Sequence, residues 1–262
     1  MENRFNIRTA FLPDDEADRI YRRYPFIGED AESYCPTCEK KGTFQWRGQT
    51  WRCDCQEQLQ LYKHYLAAGI GVTYQRLEWL DLEGCNEIIS RINEYLEKHQ
   101  RYVSRGVGLF FSGTVGTGKT MVANLVLKSF VKMGYSCFST TFAQTIDYLT
   151  AGWNSPEDKA YFRRKFVDSQ VLLLDDVGRE HRTKLSDTTF DSILRTRVQE
   201  GRPTIITTNM KPGELSTGYG AAILSLLQEA SLYFEFSGDD FRPKSQQRTV
   251  EEVKSGETRP IT

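Results

Sequence analysis

The strongest constraint on this chain is an eight-residue segment. Gly113-Thr-Val-Gly-Thr-Gly118-Lys119-Thr120 fits G-x-x-x-x-G-K-[ST] at every fixed position. The glycines let the backbone curl until successive N–H groups converge on one point, which suits phosphate oxygens. An apolar segment, Gly108–Ser112, leads into the loop, and a helical pattern with Val122, Leu125, Val126 and Phe130 on one face leads out of it. The helix then adds the positive end of its dipole at the same point. Gly113, Thr114, Val115, Gly116, Thr117, Gly118, Lys119 and Thr120 are therefore read as a cradle for a nucleoside triphosphate, with ATP expected. Lys119 is expected to reach the β- and γ-phosphates, and the Thr120 hydroxyl to ligate Mg²⁺. A chance glycine-rich turn would lack both flanking patterns.

Hydrolysis needs a second element that holds the metal and activates water. Val171-Leu-Leu-Leu-Asp175-Asp176 supplies one, an unbroken apolar strand ending in two carboxylates. Ligands of open α/β sheets gather at such strand ends. Asp175 is expected on Mg²⁺ and Asp176 as the general base. A third strand, Thr204–Thr208, ends in Asn209, which is placed to orient the water or touch the γ-phosphate; an Asn at this point is also an ordinary turn residue.

Around these segments strand and helix alternate. Strands are expected at 136–141, 171–174 and 204–208. Helices are expected at about 86–98, 143–166 (broken near Gly152), 187–200 (burying Phe190, Ile193, Leu194 and Val198, with Gly201 as its cap) and 219–230. This pattern predicts an α/β fold, a parallel sheet wrapped by helices. The last ~18 residues are polar and are expected to be loose.

Four of the six cysteines fall in C-x2-C-x14-C-x-C: Cys35, Cys38, Cys53 and Cys55. Two thiolate pairs separated by a loop suit tetrahedral Zn²⁺, with Phe44, Trp46 and Trp51 between them as a small apolar cap. The x1 spacing of the second pair is tighter than usual, so four unrelated thiols remain the alternative. With no apolar leader and no stretch near the ~20 residues of a membrane span, a cytoplasmic protein is expected. A net charge of -1 excludes a strongly basic protein, so any nucleic-acid contact must be local.

Taken in order, GLFFSGTVGTGKT (108–120), LLLDDVG (172–178), RTRVQEGRPTIITTN (195–209) and GDDFR (238–242) resemble an AAA+ ATPase. More narrowly they resemble the DnaC/IstB-like group of bacterial and phage replicative-helicase loaders. The resemblance covers about 70–245. It implies a P-loop AAA+ sheet, a sensor-2 role for Arg242, homo-oligomeric assembly, and a replicative helicase and single-stranded DNA as partners. It also implies a division into an N-terminal zinc-binding, helicase-contacting domain (1–68), the ATPase domain (69–245) and a flexible tail (246–262). The group usually carries a Ser-Arg-Leu whose arginine reaches a neighbour's ATP. Here the stretch reads Ile223-Leu-Ser-Leu226-Leu-Gln, so either another arginine substitutes, with Arg179, Arg182 and Arg197 available, or hydrolysis is slow and switch-like. Lys159, Tyr161, Arg163, Arg164 and Lys165 are candidates for tracking single-stranded DNA, or else form a solvated helix face. A transposition accessory ATPase and a nucleotide-gated DNA-binding module stay open as alternatives. A small-molecule kinase would need an Arg-rich lid that the chain does not show.

Overall fold

The computed structural model describes residues 41, 43–52, 55–82, 86–152, 155–181, 183–255 and 261–262. Its first element is a hairpin, β1 (Thr43–Trp46) and β2 (Gln49–Arg52). Arg47 and Gly48 turn it with φ of +52° and +75°, as a two-residue hairpin loop requires. Trp46 and Trp51 meet edge to face at 6.2 Å, with half of each side chain exposed. These two members of the expected apolar cap therefore lie on the surface of the hairpin.

Helix α1 (Cys55–Ala67) follows, then a connector containing the single turn α2 (Val72–Gln75), and the helices α3 (Asn86–Glu97) and α4 (His99–Ser104). The main body comprises β3 (Gly108–Gly113), α5 (Lys119–Lys132), β4 (Cys137–Thr141), α6 (Phe142–Gly152), α7 (Pro156–Phe162), β5 (Val171–Val177), α8 (Lys184–Gln199) and β6 (Thr204–Thr208). It closes with α9 (Pro212–Tyr219), α10 (Ala221–Ala230), β7 (Ser231–Phe236) and α11 (Arg242–Ser255). The sheet order is β4-β5-β6-β3-β7, parallel throughout. That arrangement is the expected α/β fold with helices on both faces.

Alternation along the strands builds the two apolar layers. Leu109, Phe111, Leu173 and Ile205 join α1, α3 and α5 on one face, while Phe110, Leu172, Leu174 and Ile206 join α6, α8 and α10 on the other. Each large side chain fully buried this way contributes about 1.5–3 kcal/mol. Leu61 and Tyr65 bring α1 into the first layer.

Three expectations differ from the structure. Arg197, not Val198, takes the inward position on α8 and is fully buried. The segment 231–236 forms a strand where none was expected. Residues 246–255, read as loose from their polarity, continue α11, and Ile261 is buried in the first layer. Helix α11 has no apolar face of its own; the Arg248–Asp81 ion pair (2.5 Å) ties it to the connector. Among the described residues no helix is long and apolar enough to cross a membrane.

Candidate nucleotide site

The phosphate loop leaves β3, one strand in from the edge of the sheet, where the chain order turns back, with β6 on one side and β7 on the other. This is the crevice in which open α/β sheets bind their ligands. Gly116 and Gly118 have φ of +82° and +90°, left-handed values that a side chain rarely adopts. Gly113 answers to the sheet as well, because a Cβ there would stand 1.9 Å from the Phe236 carbonyl on β7.

The loop is braced from within. Thr117 Oγ1 donates to the Thr114 carbonyl (2.8 Å), and Lys119 Nζ donates to the carbonyls of Gly113 (2.9 Å) and Thr114 (2.6 Å). An ammonium has three donors, so one remains for an anion. Lys119 is buried, which lowers its pKa, while Asp176 and Asp175 raise it in opposition. Val115 is half exposed and does not line the cleft.

Asp175 and Asp176 occupy a bulge in the β5–β6 register between Leu174 and Val177. Bulges re-aim side chains, and here two successive carboxylates receive separate surroundings. Asp175 Oδ1 accepts from Thr120 Oγ1 (2.9 Å) and from Thr207 Oγ1 (2.5 Å). Burial pushes its pKa up, the Thr207 and Thr120 hydrogen bonds draw it down, and Asp176 pushes it up further. A hydroxyl beside a desolvated carboxylate is a hard oxygen donor pair, and it fits Mg²⁺ held by Thr120 and Asp175. Asp176 has φ of +57°, a region that Asp tolerates better than most residues. Its N–H donates to Thr207 Oγ1 (2.9 Å), and its carboxylate accepts from Asn209 Nδ2 (3.3 Å) and Arg179 (3.0 Å).

These groups line one cleft of about 370 Å³, within the range of small-ligand sites. Gly116, Gly118, Lys119, Thr120, Asp176, Asn209 and Arg242 all face it. The structure thus brings the expected residues together, with Asp175 beneath Thr120. It also adds walls that the sequence did not reveal: Thr73 and Tyr74 from the connector, Phe241 just before α11, and Ser245, Gln246 and Thr249 on α11. Phe241 N donates to the Gly116 carbonyl (2.9 Å), fastening this second wall to the phosphate loop. Thr207 was likewise missed. Its sequence signal, a Thr pair at the end of an apolar strand, is too common to single out.

Of the substitute arginines, Arg197 is excluded. It is fully buried and donates to the carbonyls of Val167 (2.9 Å), Ser169 (2.9 Å) and Pro203 (2.7 Å) and to Thr204 Oγ1 (2.9 Å). Arg179 is half exposed and paired with Asp176, and Arg182 lies outside the described residues. Leu226 packs against the second apolar layer. In the basic stretch, Lys165 is buried and donates to the Ala67 carbonyl (3.2 Å), whereas Lys159, Arg163 and Arg164 are exposed. The cysteine expectation falls on Cys35, Cys38 and Cys53, outside the described residues, and on Cys55, whose side chain is also outside them. Among the described residues no group of three or more His, Cys, Asp or Glu could hold a metal ion.

A glycine-rich loop joining an inner strand of a parallel sheet to a helix, with carboxylates at the end of a strand two places away, defines a P-loop nucleotide-binding protein. Residues 68–248 match the IstB-like ATP binding protein family, and the chain belongs to it. It is 21% identical over 192 residues to the replicative helicase loader DnaC of Escherichia coli (strain K12), covering 71% of this chain and 77% of that protein. It is 24% identical over 149 residues to the replicative helicase loader DnaI of Bacillus subtilis (56% of this chain, 46% of DnaI). It is 27% identical over 155 residues to a putative ATP-binding protein in an insertion sequence of Mycobacterium tuberculosis (55% and 59%). The chain thus spans only about half the length of several relatives. The crystal structure of the DnaC helicase loader shares the fold at a TM-score of 0.54 and 23% identity, covering 67% of this chain and 99% of that one.

Proposed function

We propose that this protein is an ATP-hydrolysing loader that places a hexameric replicative helicase on single-stranded DNA, acting as a homo-oligomer. The observation that carries the ATPase reading is the convergence of Lys119, Thr120, Asp175, Asp176 and Asn209 at one strand-end cleft. The similarity to DnaC and DnaI supports the loader role.

In this reading the loop amides and Lys119 bind the phosphates, and Arg242 faces them across the cleft. Thr120 and Asp175 would hold Mg²⁺, which when bound would neutralise charge on the phosphates. Asp176 takes the proton of the attacking water, and Asn209 fixes the orientation of that carboxylate. Arg179 donates to the other carboxylate oxygen at the rim of the cleft. With Leu226 where the group's arginine stands, basal turnover is slow and switch-like. Within 1–68 we propose a helicase-contacting unit in which Cys35, Cys38, Cys53 and Cys55 hold Zn²⁺; the spacing of the thiols supports it. Exposed Lys159 and Arg164, with Tyr161, are the residues proposed to meet DNA.

The test is ATP turnover by the chain alone, with single-stranded DNA, and with DNA plus a hexameric helicase. Stimulation of about tenfold or more by the last combination is expected, since completing a phosphoryl-transfer site is worth orders of magnitude. Stimulation by DNA alone, with no effect of helicase, would favour the second reading, a transposition accessory ATPase. The insertion-sequence relative supports that alternative. Metal analysis of the same preparation is expected to give one zinc per chain, lost on Cys35→Ser.

A further inference from the structure

The connector that supplies Thr73 and Tyr74 to the cleft cannot hold its own shape. Helix α2 is a single turn with no side-chain N-cap, and so short a helix has no stability of its own. Its Gln75 is fully buried, and Gln75 Oε1 has no hydrogen-bond partner among the described residues, a costly arrangement that something else must offset.

The grip comes from Lys128 and from residues 261–262. Lys128 lies on α5, the helix that the phosphate loop opens, and is almost wholly buried. Its three N–H donors are shared among four acceptors, the carbonyls of Tyr74 (3.2 Å), Gln75 (2.9 Å) and Leu77 (2.7 Å) and Thr262 Oγ1 (3.0 Å). Thr262 completes the set. Its N–H donates to the Gln75 carbonyl (3.2 Å), its hydroxyl donates to the Leu77 carbonyl (3.2 Å), and its carbonyl accepts from Tyr65 Oη (2.7 Å). Ile261 is buried in the same apolar layer as Tyr65, Ile70 and Leu77.

We propose that Ile261–Thr262 is a positioning element for the nucleotide. Docked on Lys128, the pair fixes the connector that carries Thr73 and Tyr74, so nucleotide affinity depends on two residues that do not line the cleft. This rests on the reading of the cleft as the ATP site. Linkage makes the effect reciprocal, so bound nucleotide also strengthens the docking of the pair.

Three versions of the chain test it: one ended after residue 260, Thr262→Val and Thr262→Ser. Two quantities are measured: the Kd of a fluorescent ATP analogue with Mg²⁺, and hydrogen exchange of the Tyr74 and Leu77 amides without nucleotide. Ending the chain at 260 is expected to raise Kd about tenfold, within the usual range of coupling between sites, with kcat at saturating ATP changed by less than about twofold. Both amides should lose protection. Thr262→Val, which keeps the shape and removes only the hydroxyl, should move both readouts the same way to a smaller degree, and Thr262→Ser should restore them. Unchanged Kd and unchanged protection in a folded shortened chain would overturn the proposal. Failure of the full chain to bind nucleotide would instead overturn the reading of the cleft, and the exchange measurement would still decide whether the pair positions the connector.

Discussion

Asp176→Asn is expected to leave ATP binding within about threefold of the unaltered chain while lowering kcat by roughly 10²–10⁴, the usual contribution of a positioned general base. The substitution separates chemistry from structure here. Asn tolerates the left-handed φ of +57° as Asp does, and it keeps an oxygen for the Asn209 hydrogen bond at 3.3 Å. What it loses is the capacity to take a proton, together with the exposed ion pair to Arg179, which is worth little to stability. Single-turnover hydrolysis and analogue binding on the same preparation give the two numbers. A kcat reduced less than about fivefold would remove Asp176 from the role of base.

Arg197→Met is expected to have the largest effect on stability. It leaves the Ser169 carbonyl buried without a donor and takes one of two donors from the carbonyls of Val167 and Pro203, which keep Arg202 (3.2 Å) and the Leu172 N–H (3.4 Å); with about 1–3 kcal/mol for each unpaired group, a total of about 3–4 kcal/mol is expected. For a domain of this size that lowers Tm by roughly 10 °C or more. The carbonyls that Arg197 gathers lie just before β5 and β6, so it holds the entry ends of the two strands whose exit ends carry Asp175 and Asn209. Denaturant unfolding measures the loss. A change below about 1 kcal/mol would mean that the carbonyls find other donors.

The readable parts of the fold were those whose signal is local. The phosphate loop declares itself through spacing, because only glycines permit its backbone and only Lys and Thr supply its charge and hydroxyl. Strands β3 and β5 carry unbroken apolar runs, and β6 is buried along its whole length, because both faces are covered. The parts that escaped depend on distant partners. Arg197 looks like one more exposed charge on an amphipathic helix; its acceptors sit some thirty residues earlier and six or seven residues later, at strand entries that meet only in the folded sheet. Strand β7 carries a period-two pattern, Phe234 and Phe236 inward and Tyr233 and Glu235 outward, that follows a helix directly and was passed over. Helix α11 has no apolar stripe, and its place is set by Arg248 on Asp81 and by the phosphate loop. Thr207 joins the site through one hydroxyl that no spacing rule announces.

The most direct test of the central claim is titration of ATP·Mg²⁺ into the unaltered chain and into Lys119→Ala by calorimetry. Saturable one-site binding is expected for the former, and a loss of about a hundredfold or more for the latter, because removing a buried cation from its phosphate partners costs several kcal/mol. Equal affinity in the two proteins would contradict the assignment of Gly113–Thr120 as the phosphate site.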